Sequence, residues 1–269
     1  RPDTRFAYSS NGTRWWGPGN SISVIRTSDN VVTTTMPVGA APTGLAFTPD
    51  GNFAYVGNWT DNTVSKIELN TNIAVATITG PLTRPMDVAI TPDGQTAYVS
   101  TKGSGIAIID IATDVVTGTV PGITSSHSIV ITPDGSYAYA SQGDQGSSVY
   151  VINLATNMVV TSIGGFSAPH ELDITRDGST IWVADKLNDR IVSIDVASNT
   201  VNGSVSDARL EDAWGLALSY DGNYAYVSRG FNDIDLVVVD LNAGSILTEL
   251  DFTGSSSHGV ATTKNGLPW

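Results

Sequence analysis

A turn that recurs at a near-constant interval constrains this chain more than anything else in it. Pro-Asp-Gly stands at 49–51, 92–94 and 133–135, and degenerate copies follow as Arg176-Asp177-Gly178, Tyr220-Asp221-Gly222 and Lys264-Asn265-Gly266. The successive spacings are 43, 41, 43, 44 and 44 residues. Such a period marks a chain built from one repeated supersecondary unit, each copy unable to bury its apolar face alone. The layout around each turn repeats too. An apolar strand enters the turn and a second strand leaves it, as in Phe53-Ala54-Tyr55-Val56 and Tyr224-Ala225-Tyr226-Val227. A variable loop then leads to an alternating third strand (106–111, 149–154), and a short polar turn such as Ala155-Thr156-Asn157 leads to a fourth (115–120). Pro at the second turn position and Gly at the fourth suit a tight connection between antiparallel strands. Four short strands per unit, with no helical periodicity between them, predict an all-β chain of propeller blades.

Six copies of the inner strand are present: Thr43-GLAFT, Met86-DVAIT, His127-SIVIT, His170-ELDIT, Trp214-GLALS and His258-GVATT. The expectation is a single domain over 1–269, a six-bladed β-propeller of four-stranded antiparallel blades. The first copy lacks its own inner strand. Segment 257–263 is expected to supply it beside the N-terminal strand at 5–10, closing the ring and removing an open sheet edge. The units FTPDGNFAYVGN…NTVSKIELNTNIAVATI and ITPDGSYAYAS…SVYVINLATNMVVTSI resemble the YVTN family of propeller repeats. That resemblance covers essentially the whole chain. It implies the propeller fold and an exported protein, extracellular, periplasmic or at the cell surface, and it leaves function open among surface-layer modules, binding proteins and enzymes.

Charge narrows the partners. The net charge is −13, with 22 Asp and 4 Glu among 26 carboxylates, so most of the acidity sits on a turn-forming residue. This argues against nucleic acid and anionic membrane surfaces, which select basic patches. No stretch is apolar enough to span a membrane. The absence of cysteine excludes disulfides, thiolate metal sites and cysteine nucleophiles.

All three histidines, His127, His170 and His258, fall at one repeat position, the residue opening the inner strand. In a closed ring they would meet at the tunnel mouth. Three imidazoles from separate strands are a ligand set for Zn, Cu, Fe or Mn, with positions left for water or substrate. Inheritance from an ancestral repeat accounts for them equally well. Departures from the repeat cluster at the His170 copy, where Asp173 stands at a position otherwise Ala or Val and Glu171 at one otherwise Gly, Ser or Asp. Either carboxylate is a candidate catalytic base, and for Asp173 the alternative is a structural hydrogen bond to neighbouring backbone. Asp185, ending the second strand of that blade, is a candidate to orient the His170 ring or to touch substrate. Arg84, Arg229 and Lys102 are candidates for holding an anionic ligand. Trp15, Trp16, Trp59 and Trp214 offer stacking surfaces.

Three functions fit. One is a binding module for a small molecule, glycan or protein at the mouth. The second is a metal-dependent lyase or hydrolase with His127, His170 and His258 as ligands. The third is a structural surface-layer repeat.

Overall fold

The computed structural model describes residues 6–12, 19–230 and 235–251. By packing, the chain forms two compact units, Arg1–Ile129 and Val130–Trp269. In the first unit, blade 1 comprises Phe6–Ser10, Ser21–Arg26 and Val31–Pro37. Blade 2 comprises Pro42–Phe47, Phe53–Asn58, Thr63–Glu68 and Ile73–Ile78, and blade 3 Pro85–Ile90, Thr96–Thr101, Ile106–Asp110 and Val115–Thr119. In the second unit, blade 4 continues from the short inner strand Ile129–Ile131 through Tyr137–Ser141 and Ser148–Asn153 to Met158–Gly164. Blade 5 is Pro169–Ile174, Thr180–Asp185, Arg190–Asp195 and Thr200–Ser206, and blade 6 is Ala213–Leu218, Tyr224–Arg229, Asp235–Asp240 and Ser245–Asp251. Every sheet is antiparallel with sequential strand order, and the fold is a six-bladed β-propeller. Blade 1 has three strands among the described residues. The closing strand expected at 257–263 lies outside them.

The repeat's recurrent residues have local jobs. In each Thr/Ser-x-Asp-Gly turn the hydroxyl of Thr48, Thr91, Thr132, Thr175 or Ser219 donates to the Asp two residues on, at 2.5–2.7 Å. That hydroxyl also accepts the N–H that opens the second strand, at 3.0–3.1 Å. The hydroxyl bond, and at Asp177 first the Ser179 N–H, holds these carboxyls below the ordinary aspartate range. The turn between third and fourth strands carries a left-handed residue in every blade: Asn30, Asn72, Asp114, Asn157, Asn199 and Gly244, with φ between 55° and 64°. Asn and Asp tolerate that conformation better than other side chains do.

The tyrosine of the Ala-Tyr-Val strand then ties one blade to the next. Tyr55 donates to Asp114 at 2.8 Å, and Tyr139 to Asn199 at 2.5 Å. Burial pushes the Tyr139 phenol up to about 12. Lys66 joins the first tie, its ammonium 3.0 Å from both Asp114 oxygens and 4.5 Å above the Phe53 ring. Apolar side chains fill the space between neighbouring blades. Tyr55, Leu82, Val88 and Val99 are in the blade 2–3 cluster, Tyr139, Val151, Leu172 and Ile181 in that of blades 4–5, and Ala184, Leu210, Leu216 and Val227 in that of blades 5–6.

Candidate functional site

The repeat position that carries the histidines is a kink. The pairing of inner and second strands shifts register between Pro42 and Leu45, Pro85 and Asp87, Pro169 and Leu172, and Ala213 and Gly215. Thr43, Met86, His170 and Trp214 therefore sit on β-bulges, which re-aim a side chain out of the alternation of a flat strand. Two of these side chains, Thr43 and His170, reach the next blade. Thr43 donates to the Pro85 carbonyl at 3.0 Å, and the His170 ring meets Trp214 edge-on, centroids 4.3 Å apart at 74°.

Around that pair the second unit assembles a cluster from three successive blades. His170 is fully buried, and its Nε2 lies 2.7 Å from Oδ1 of Asp144, on the loop after the second strand of blade 4. The Lys186 ammonium sits 4.3 Å from the centre of the Trp214 ring. It is 3.3 Å from Asp212 and 4.0 Å from Asp144. Asp212 immediately precedes the inner strand of blade 6 in a left-handed conformation, φ 55°, as do Ala41, Arg84 and Ala168 in their blades. The carbonyl of each of these four residues accepts the N–H of the residue just past the second strand: Trp59, Lys102, Lys186 and Gly230. This recurring clamp brings Lys186 and Asp212 to the same end of the blades as His170. A Cβ on Gly230 would lie 1.9 Å from the Asp212 carboxylate, so only glycine leaves that carboxylate its place.

Asp144 and Asp212 were not singled out by sequence. Only their repeat phase, at the ends of variable loops, marks them. Asp144, rather than Asp185, is the carboxylate against the His170 ring nitrogen. Asp185 is fully buried and accepts from the Ser167 N–H at 2.6 Å, Asn188 at 2.8 Å and Arg190 at 2.7 Å. Its equivalents do the same kind of work. Asn11 binds Ser21 and Ser23, Asn58 binds Thr63 and Ser65, Thr101 holds Ser104 and Gly105, and Gln142 holds Ser147 and Ser148. The residue ending the second strand is thus a loop anchor in blades 1 to 5, which explains its polarity there.

Asp173 takes the structural alternative: one carboxylate oxygen accepts the Ile174 N–H and the other the Leu218 N–H of the next blade, both at 2.8 Å. Asp87 does the same for Val88 and for Ser128 and Ile129. Glu171 is half-buried beside His170. In the first unit Arg84 lies 5.6 Å over the Trp59 ring, and the Lys102 N–H reaches the Arg84 carbonyl. His127 is buried in that unit, and Arg229 ends the second strand of blade 6, its backbone paired with Ala213. Trp15, Trp16 and His258 lie outside the described residues, and with His258 so does the three-histidine set. Among the described residues no group of three or more His, Asp or Glu is placed to hold a metal ion, and no helix is long and apolar enough to cross a membrane.

Residues 26–203, about two thirds of the chain, match the family described as lactonase, seven-bladed β-propeller. The chain belongs to that family. This lactonase-family chain shows six sheets among its described residues, one fewer than the family's name counts. It is 32% identical over 111 residues to the seven-bladed β-propeller protein Rv1057 of Mycobacterium tuberculosis, a match covering 40% of this chain and 28% of that protein. The lactonase-family fold extends to distant structures. A chain of Kuenenia stuttgartiensis hydrazine synthase aligns with a TM-score of 0.84 at 22% identity, covering 98% of this chain and 88% of that one. The β-propeller domain of Cps50 (Swd1) from Myceliophteria thermophila aligns at 0.78 with 14% identity, covering 97% and 93%. At these identities the likeness is one of fold.

Proposed function

We propose that this chain is a ligand-binding propeller whose ligand face is the loop end of blades 4 to 6, centred on Trp214 and Lys186. The observation that carries this reading is the convergence of an imidazole, an indole, an ammonium and two carboxylates from three blades. Binding sites combine an apolar or aromatic wall with a few placed polar groups, and loops on a rigid scaffold are where they gather. Residence outside the cell belongs to the same proposal, supported by the YVTN resemblance. The test is a thermal-shift screen of metabolites, glycans and peptides on the wild-type chain, repeated on Trp214→Ala and Asp144→Asn. A ligand that binds the native state raises the melting temperature. The expected hit stabilises the wild type and loses that effect in both variants; equal shifts in all three chains would move the ligand face elsewhere.

We propose as a second reading a metal-dependent hydrolase or lyase (Zn, Cu, Fe or Mn); the family match supports only a hydrolase acting on a lactone. His170 supports it in one respect. A metal-binding imidazole commonly directs its other nitrogen at a carboxylate, as Nε2 does at Asp144. Such a metal would act as Lewis acid or lower the pKa of a bound water. Elemental analysis of tag-free protein beside His170→Ala, with lactone hydrolysis followed by pH-stat, checks it. Substoichiometric metal and no hydrolysis would remove this reading and leave the first intact.

A further inference from the structure

We infer that the Lys186 ammonium occupies, as a built-in stand-in, a binding site for organic ammonium ions formed by the Trp214 ring and the carboxylates of Asp144 and Asp212. The inference rests on the reading of this loop end as the ligand face and names its ligand class. The geometry is that of cation recognition. The ammonium lies 4.3 Å from the indole centroid, on the aromatic side chain whose face attracts cations most strongly. Carboxylate oxygens stand 3.3 Å and 4.0 Å away.

The walls are held by contacts to the scaffold, and the occupant enters from a neighbouring turn. Trp214 is held on an inner-strand bulge against His170, and Asp212 by the left-handed clamp and the space at Gly230. Asp144 is held by the His170 ring. Lys186 reaches in on a flexible four-carbon stem from a three-residue 3-10 turn, Lys186–Asn188. Trp214 is only 4% exposed, and the ammonium on its ring is therefore part of what shields it from solvent. Sign decides the ligand class. Among the described residues two carboxylates face this ammonium, in a chain of net charge −13, so an anion is repelled and an ammonium that displaces Lys186 keeps the local balance. A tethered lysine competes at an effective concentration in the millimolar range, which lowers the affinity of the wild type for a free cation.

The test uses the full chain as wild type, Lys186→Ala, Lys186→Gln and Lys186→Ala/Asp212→Asn. The probes are n-butylammonium and tetramethylammonium chloride, with n-butanol and sodium chloride at matched ionic strength as controls. Melting temperature, tryptophan fluorescence and calorimetric titration are read. Saturable binding to both single variants is expected, tighter than to wild type by about tenfold or more and lost in the double variant. Binding no tighter in the single variants than in wild type, or binding indifferent to Asp212, overturns the assignment. The Gln variant removes the charge and shortens the side chain while keeping part of its packing, so a folding defect in the Ala variant does not end the experiment. A neutral or anionic ligand that binds at Trp214 in the wild type would overturn the ammonium class while leaving the proposed ligand face standing.

Discussion

Asp185 and Asp144 stand at neighbouring phases of the repeat and do opposite things. Asp185 is sealed in and spends its lone pairs on one backbone N–H and two side chains, while Asp144 is half exposed and holds the buried His170 ring. Replacing Asp185 with Ala strands the Arg190 guanidinium and the Ser167 N–H, and the expected cost is about 3 kcal/mol, measured by urea unfolding. Asp185→Asn keeps an acceptor and should cost less than half as much. If Asp185→Ala unfolds at the wild-type midpoint, the anchor is not what holds that loop. Asp173 differs in kind from both, because its two oxygens tie blade 5 to blade 6 through backbone N–H groups. Asp173→Ala should cost about 2 kcal/mol without touching ligand affinity. In sequence these three aspartates look alike. The partners that separate them, Ser167 for Asp185, His170 for Asp144 and Leu218 for Asp173, lie 18, 26 and 45 residues away, and no local pattern encodes such pairings.

Between elements, the same geometry is used repeatedly with different residues. A second-strand tyrosine crosses to the left-handed turn of the following blade, at Tyr55 to Asp114 and at Tyr139 to Asn199. The first tie also holds a largely buried lysine, so its failure modes are distinct. Asp114→Ala leaves Lys66 and the Tyr55 hydroxyl without their acceptor and should destabilise by about 3–4 kcal/mol. Adding Lys66→Met to that variant should recover a large part of the loss, because the uncompensated ammonium is the expensive member. Equal stability of single and double variants in a double-mutant cycle would refute this. Tyr139→Phe, which breaks only a neutral tie, should cost about 1 kcal/mol. The strand order and most strand limits are legible in the Ala-Tyr-Val and Val/Ile patterns. The inner-strand bulges are not, since a bulge is one extra residue against a partner strand and leaves no mark on a single strand's alternation.

For the whole molecule, the repeated turn sets the response to acid. The carboxyls of Asp50, Asp93, Asp134, Asp177 and Asp221 are all held below 3.8 in the folded chain. A depressed folded-state pKa means the unfolded chain binds protons first as pH falls. Their stabilisation is thus complete above the unfolded aspartate range and is lost as pH drops through the folded values. The expected melting temperature is level from pH 7 to about 5 and falls steeply below about 4. A melting temperature that rises between pH 4 and 2 would show that relief of self-repulsion in this acidic chain outweighs the turns. The period, the four-strand unit, the blade number and the face on which variable loops gather can all be read along the chain, because a repeat writes its strand and turn chemistry locally. What the loop end holds depends instead on which blades pack side by side. Neighbouring blades bring Asp144, His170, Lys186, Asp212 and Trp214 within a few ångströms, because side chains re-aimed by bulges and left-handed residues find partners on adjacent blades.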